Sequence, residues 1–169
     1  MDTTELRSMQ APIKQRYRDN PDAGVVTLRA RGNVGDESLT CSVETGRALV
    51  EAGLHPATGG DGISACSGDL LLQALVACAG VTLRTVATAL GIELRGGEVR
   101  AEGEVDFRGT LGVDRDAPVG FREIRLSFDV ETDADDDALA KLLELTERYC
   151  VVYHTLTDPP PMSTDLARG

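Results

Sequence analysis

The sequence predicts an α+β fold in which antiparallel strands surround one long buried helix. Three observations carry that expectation. Residues 98–108 and 123–131 alternate apolar and polar side chains with period two. A run from Gly68 to Leu90 is apolar almost all the way round. A second helical stripe follows three consecutive aspartates, Asp135, Asp136 and Asp137. A chain of 169 residues is long enough to bury a core without covalent staples. The sequence divides into a peripheral N-terminal extension, 1–23, and a single domain, 24–169.

The extension reads as a short polar helix over 3–18, interrupted near Pro12. From Gly24 the pattern becomes strand-like, with Val26, Leu28 and Ala30 alternating with Thr27, Arg29 and Arg31. A turn is expected at Gly32 to Gly35. Leu39, Cys41 and Val43 then alternate with polar neighbours and complete a hairpin, which makes Cys41 a core residue. The stretch 53–68, GLHPATGGDGISACSG, holds five glycines and a proline and reads as a loop carrying His55 and Cys66. Ser67 is expected to cap the long helix, with Asp69 in its first turn and Gly91 ending it. At 1.5 Å per residue this helix is about 34 Å long, more than a chain of this size easily wraps on every side. A homodimer core containing Leu71, Leu75 and Val86 of both copies is therefore expected. In the strand pair, Val99, Ala101, Gly103, Val105 and Phe107 face inward opposite Ile124, Leu126, Phe128 and Val130. A twelve-residue loop, 109–120, joins them. The last helix carries Leu139, Leu142, Leu143, Thr146, Tyr149 and Cys150 on its apolar stripe. The tail from Pro159 should trail along the surface.

Composition narrows the function. Against 28 Asp plus Glu stand 17 Lys plus Arg, a formal charge of −11, which disfavours phosphate backbones and anionic lipid. No nucleic-acid partner is expected. The first twenty residues are polar and no stretch of 18 residues is uniformly apolar, so neither a secretory signal nor a membrane anchor is expected, and the location is the cytoplasm. The cysteines Cys41, Cys66, Cys78 and Cys150 form no CxxC pair. With only His55 and His154 besides, neither a structural zinc nor any other cofactor is expected. No phosphate-binding glycine motif is present. Cys78 and Cys150 each lie on the buried stripe of a helix, and two such helices laid on one sheet would bring the thiols together. A cytosolic dithiol points to redox chemistry. A Cys–His hydrolase, using His154 or His55, is the weaker alternative because Cys78 sits in mid-helix.

The runs GDLLLQALVACAGVTLR (68–84) and LTERYCVVYHTL (145–156), in this order around a β-hairpin, resemble the OsmC-like family of osmotically induced and organic-hydroperoxide-resistance proteins. The resemblance covers residues 24–166. It implies an intertwined homodimer with two sites at the subunit interface. It also implies a peroxidase that reduces organic hydroperoxides in oxidative-stress defence. Cys78 attacks the peroxide, Cys150 resolves the sulfenic acid as a disulfide, and a small dithiol of lipoyl type restores both thiols. Peroxidase members carry a Glu ten residues before the first cysteine, ion-paired to an Arg of the N-terminal strands. In this chain that position is Gly68, with Asp69 one step on, and the Arg candidates are Arg29, Arg31 and Arg47.

An unperturbed thiol is only about 3% ionised at pH 7, whereas one cation at about 4 Å in an effective dielectric near 20 supplies about 4 kcal/mol. A single arginine is thus enough to activate Cys78. Cys150, at the end of its helix, faces the negative end of the dipole and is expected to hold its proton longer. Without an activating charge the alternative is a catalytically silent OsmC-fold protein, holding a hydrophobic small molecule at the dimer interface.

Overall fold

The computed structural model describes residues 2–5, 8, 11, 15, 19, 31–34, 40–44, 49–112 and 114–168; side-chain placement is described in the strands from residue 50 onward. In chain order the elements are β1 (Arg31–Val34), β2 (Thr40–Glu44), β3 (Leu49–Gly53), β4 (Ala65–Cys66), α1 (Ser67–Leu90), β5 (Gly96–Val105), α2 (Phe107–Thr110), β6 (Phe121–Glu131), α3 (Asp136–Tyr149) and α4 (Val151–Thr157). The α+β class is as expected, with a central helix and two small sheets.

The first sheet has the order β1-β2-β3-β4. Part of the expected hairpin is present, with Arg31 opposite Glu44 and Val34 opposite Cys41, and Gly32, expected in the turn, lies inside β1. Strand β3, which pairs antiparallel with β2, is not foreshadowed by the sequence pattern. Nor is β4, which adds in parallel to β3 at the end of the glycine-rich stretch. Val26, Leu28 and Ala30 and the side chain of Cys41 lie outside the described residues. The second sheet is β5 and β6, antiparallel, with Val99 opposite Phe128 and Ala101 opposite Leu126. Burial alternates along both strands as their sequence dictates. Phe107 departs from that pattern: Asp106 accepts a hydrogen bond from the Arg108 amide and starts the one-turn α2 there.

Helix α1 begins at Ser67 with Cys66 as its N-cap residue, so Ser67 is the first helical residue and not the cap. It ends where expected. Gly91 adopts φ +74°, a conformation only glycine takes readily, and its amide and that of Ile92 close the last turn on Ala87. By length and composition alone α1 could cross a bilayer, with 24 residues and a mean hydropathy of 1.8. Within the chain it packs one side against β5, α3 and α4. The core joins Leu83, Val86 and Ala87 of α1 to Leu94 and Leu142, with Phe128, Val130 and Leu139 packed around them. Leu75 and Val86, 1% and 8% exposed, are therefore buried within the chain itself and are not available to a second copy. Leu71 and Val81 of the same helix point outward, Val81 with 70% of its surface exposed.

Helix α3 starts as the aspartates predict, Asp135 accepting from the Ala138 amide at 2.8 Å. Its stripe is narrower than expected: Leu142, Thr146 and Cys150 are buried, while Leu143 and Tyr149 are exposed. The helix ends at Cys150, as expected. Cys150, at φ −76° and ψ 107°, closes α3 and opens α4. The tail beyond Pro159 is exposed, as expected.

Candidate functional site

The chemistry-bearing residues meet where α1 crosses the α3–α4 junction. Cys78 lies in the middle of α1, half-buried, and Cys150 sits 1% exposed at the junction. The helix break aims the first amides of α4 at the partner helix. A helix N-terminus leaves its early N–H groups without intrahelical acceptors, and neither Cys150 nor any neighbour caps α4 with a side chain. The Cys78 sulfur takes that role.

Burial is the largest influence on the Cys78 thiol and pushes it up. It is outweighed by the Val152 amide, the Cys150 thiol and the Val151 amide, all donating to the sulfur, so that Cys78 titrates below an ordinary cysteine. Thr82 comes last; its hydroxyl donates to the Cys78 carbonyl at 2.8 Å, which leaves little for the sulfur. Cys150 moves the other way. Burial raises it most, the Tyr153 amide opposes that, and the hydrogen bond to Cys78 holds its proton in place. The two thiols are free, within hydrogen-bonding reach and polarised in opposite senses, Cys150 donating and Cys78 accepting.

The groups that lower Cys78 are amides, a thiol and a hydroxyl, and no arginine among the described residues joins them. Arg29, Arg47 and the side chain of Arg31 lie outside the described residues. The expected order of acidity is present, but its cause differs: the start of α4 favours the Cys78 thiolate, and burial, more than the end of α3, restrains Cys150.

A family model described as OsmC-like protein matches residues 59–165, which include both thiols and every element from β4 to α4. The chain belongs to the OsmC-like family. Solved structures agree on the fold. An OsmC-like protein from Mycoplasma pneumoniae superposes with a TM-score of 0.66 at 16% identity, covering 79% of this chain and 89% of that one. An organic hydroperoxide resistance protein from Legionella pneumophila gives 0.62 at 16% identity, with coverages of 80% and 92%. The organic hydroperoxide resistance protein OhrB of Bacillus subtilis gives 0.52 at 20% identity, with coverages of 79% and 92%. No curated protein sequence matches the chain.

Within this OsmC-like frame, Gly68 has no carboxylate to offer, although a side chain there would meet only ordinary contacts. A β-carbon there would stand 3.4 Å from the Phe121 ring and 3.7 Å from the Cys66 sulfur. Asp69 is nine residues from Cys78, about 13 Å along the helix axis. It lines a separate cavity of about 520 Å³ with His55, Cys66, Phe121 and Arg122. His55 is structural: its Nδ1 accepts from the Ala57 amide at 3.0 Å and its ring stacks on Phe107 at 5.0 Å. His154 is exposed on α4. Neither histidine joins the Cys78–Cys150 pair, so the Cys–His alternative finds no support at these thiols. Among the described residues no three His, Cys, Asp or Glu side chains converge as a metal site.

Sequence reasoning missed Glu147 and Tyr153, three residues on either side of Cys150. Both line a cavity of about 460 Å³ between β6 and the α3–α4 pair. Its walls are otherwise mostly apolar, including Leu75 of α1, Leu126 and Phe128 of β6, and Leu156 of α4. Burial is the main cause that raises the Tyr153 phenol, and the negative charge of the nearby Glu147 carboxylate adds to it. The helical break at Cys150 is what places both residues on one wall, and only a pause in the apolar stripe at 147 hinted at it.

Proposed function

We propose that the protein is a thiol-dependent peroxidase that reduces organic hydroperoxides, acting as a homodimer in oxidative-stress defence in the cytoplasm. The observation that carries the reading is the polarised pair: a Cys78 thiol shifted toward its thiolate, with the Cys150 proton held against it. Peroxide chemistry requires a thiolate nucleophile and a second thiol close enough to condense with the product. The Cys78 thiolate attacks the terminal peroxide oxygen; an S–O bond forms, the O–O bond breaks, and the alkoxide leaves as the alcohol after taking a proton. The Cys150 sulfur then attacks the sulfenic acid, forming the disulfide and releasing water. Two exchange steps with a small dithiol of lipoyl type return both cysteines to thiols and oxidise the dithiol to its disulfide. The similar Legionella and Bacillus structures are of organic hydroperoxide resistance proteins, which supports this substrate class.

The dimer is supported by the exposed apolar face of α1, where Leu71 and Val81 flank exposed Ala74 and Ala77. A second reading, a silent binder of a hydrophobic small molecule, is favoured by one observation, the apolar cavity of about 460 Å³, a size ordinary for ligand sites. The two are separated by treating reduced protein with one equivalent of an alkyl hydroperoxide and mapping the peptides. A peroxidase gives a Cys78–Cys150 disulfide with Cys66 and Cys41 free, and Cys150→Ser accumulates sulfenic or overoxidised Cys78. Unreacted thiols beside a retained ligand would establish the binder, and first oxidation at Cys150 would overturn the assignment of roles.

A further inference from the structure

A Cys78–Cys150 disulfide offers a reductant two sulfurs, and the fold makes them unequal. Cys150 is 1% exposed at the α3–α4 junction. Its own chain buries it, so assembly with a second copy cannot uncover it. Cys78 is half-buried and stands on the border between two faces of α1. Leu75 and Ala79 on one side of it are 1% and 0% exposed, whereas Ala74, Ala77 and Val81 on the other are open. Resting on the peroxidase reading, we infer that the reducing dithiol attacks the disulfide at the Cys78 sulfur, so that the mixed disulfide with the reductant forms on Cys78 and not on Cys150.

Substitution at sulfur is in line: nucleophile and leaving group stand on opposite sides of the atom attacked. When Cys150 condenses with the sulfenic acid, the hydroxyl leaves Cys78 on the side away from Cys150. A thiolate that attacks the Cys78 sulfur must also enter opposite Cys150, into the space the hydroxyl vacated. That space has already admitted the peroxide, so a route to it exists in whatever assembly turns over. An attack on the Cys150 sulfur has to come through the buried junction and waits for the junction to open. Leaving-group acidity pulls the other way, because Cys78 titrates lower than Cys150 and is the easier thiolate to expel. Access decides, since a sulfur that no nucleophile reaches gains nothing from a good leaving group. In the first exchange the dithiol sulfur bonds to Cys78, the Cys78–Cys150 bond breaks, and Cys150 leaves and takes up the proton the dithiol gave up. In the second, the other dithiol sulfur closes the reductant's own disulfide and expels Cys78 as the thiolate that meets the next peroxide.

The test needs no peroxide turnover and uses the native chain. The Cys78–Cys150 disulfide is made with diamide. The protein is then exposed briefly to the neutral monothiol N-acetylcysteamine, quenched with excess N-ethylmaleimide and mapped by peptide mass spectrometry. A monothiol has no second sulfur with which to complete the exchange, so the first mixed disulfide is retained. The monothiol should be found on Cys78 and the maleimide on Cys150. In urea, where both sulfurs are reachable, the ratio of Cys78 to Cys150 adducts should fall toward unity. Adducts mainly on Cys150 overturn the assignment. So does a Cys78 preference that persists unchanged in urea, because its cause would then lie outside the fold. Failure of diamide to join the two cysteines overturns it as well. Adducts on Cys78 in a protein that consumes no alkyl hydroperoxide with a dithiol would uphold this assignment and refute the peroxidase reading alone.

Discussion

Replacing Val151 by proline deletes one of the amides that stabilise the Cys78 thiolate and changes little else. Val151 is the first residue of α4, the helical position that proline fits best. Cys150 before it is already extended, at φ −76° and ψ 107°, the region that a residue preceding proline prefers. The valine side chain is 69% exposed, so its loss removes little packing. What disappears is an N–H donor to a thiolate, and hydrogen bonds to charged groups are worth about 1.5–3 kcal/mol. At 1.36 kcal/mol per factor of ten, the thiolate population near neutral pH should fall by about ten- to a hundredfold. The remaining thiolate is more basic and hence more nucleophilic, with a Brønsted slope of about 0.4–0.5, so the net rate loss shrinks to about three- to tenfold. The same compensation reverses the effect in alkali, where both proteins are fully ionised and the variant should react faster. The assay is iodoacetamide alkylation across a pH series, quantified on the Cys78 peptide, with circular dichroism to verify the fold. The two pH–rate curves should cross. Superimposable curves on an intact fold would show that the start of α4 does not activate Cys78.

Three further outcomes follow from the same geometry. Cys78 is depressed in the folded state, so its thiolate stabilises the protein above the ordinary thiol range, and that contribution is lost as the pH falls through the folded value. The stability difference between native protein and Cys78→Ser, from urea titrations at several pH values, should therefore grow with rising pH; a flat difference refutes it. Leu142 is 2% exposed at the centre of the core, so Leu142→Ala should cost about 2–5 kcal/mol in denaturant unfolding. Leu143→Ala, at an exposed neighbour, should cost less than about 0.5 kcal/mol, and equal losses would deny the placement of α3. Light scattering should give about twice the chain mass for the native protein, and Val81→Glu should halve it by charging the exposed face of α1. A native mass equal to one chain removes the dimer.

Periodicity alone makes the second sheet and both long helices legible. The alternation over 98–108 needs no partner to interpret, because a strand with one wet face imposes period two on its own sequence. Gly91 and Asp135 mark helix ends for equally local reasons, a left-handed backbone and an acceptor for an orphan amide. Strand β3 escapes because its sequence, LVEAG, has no alternation to betray it, and β4 is two residues long. Both exist through pairing with other segments of the chain.

The division is sharpest at the thiols. That Cys78 and Cys150 should lie together can be argued from two buried stripes, since each stripe must find an apolar surface and one core is available. How they differ cannot. An all-round apolar α1 leaves its rotation undetermined by sequence, so only packing decided that Leu75 and Val86 turn inward while Leu71 and Val81 face out. The break at Cys150 is likewise a tertiary outcome: no Gly or Pro stops α3 there, yet the extended backbone at that residue starts a new helix whose amides reach the Cys78 sulfur. A sequence sets local propensity and the identity of its charges. The electrostatic environment of a sulfur depends on where amides, carboxylates and cavity walls point, and those directions exist only once the chain has packed.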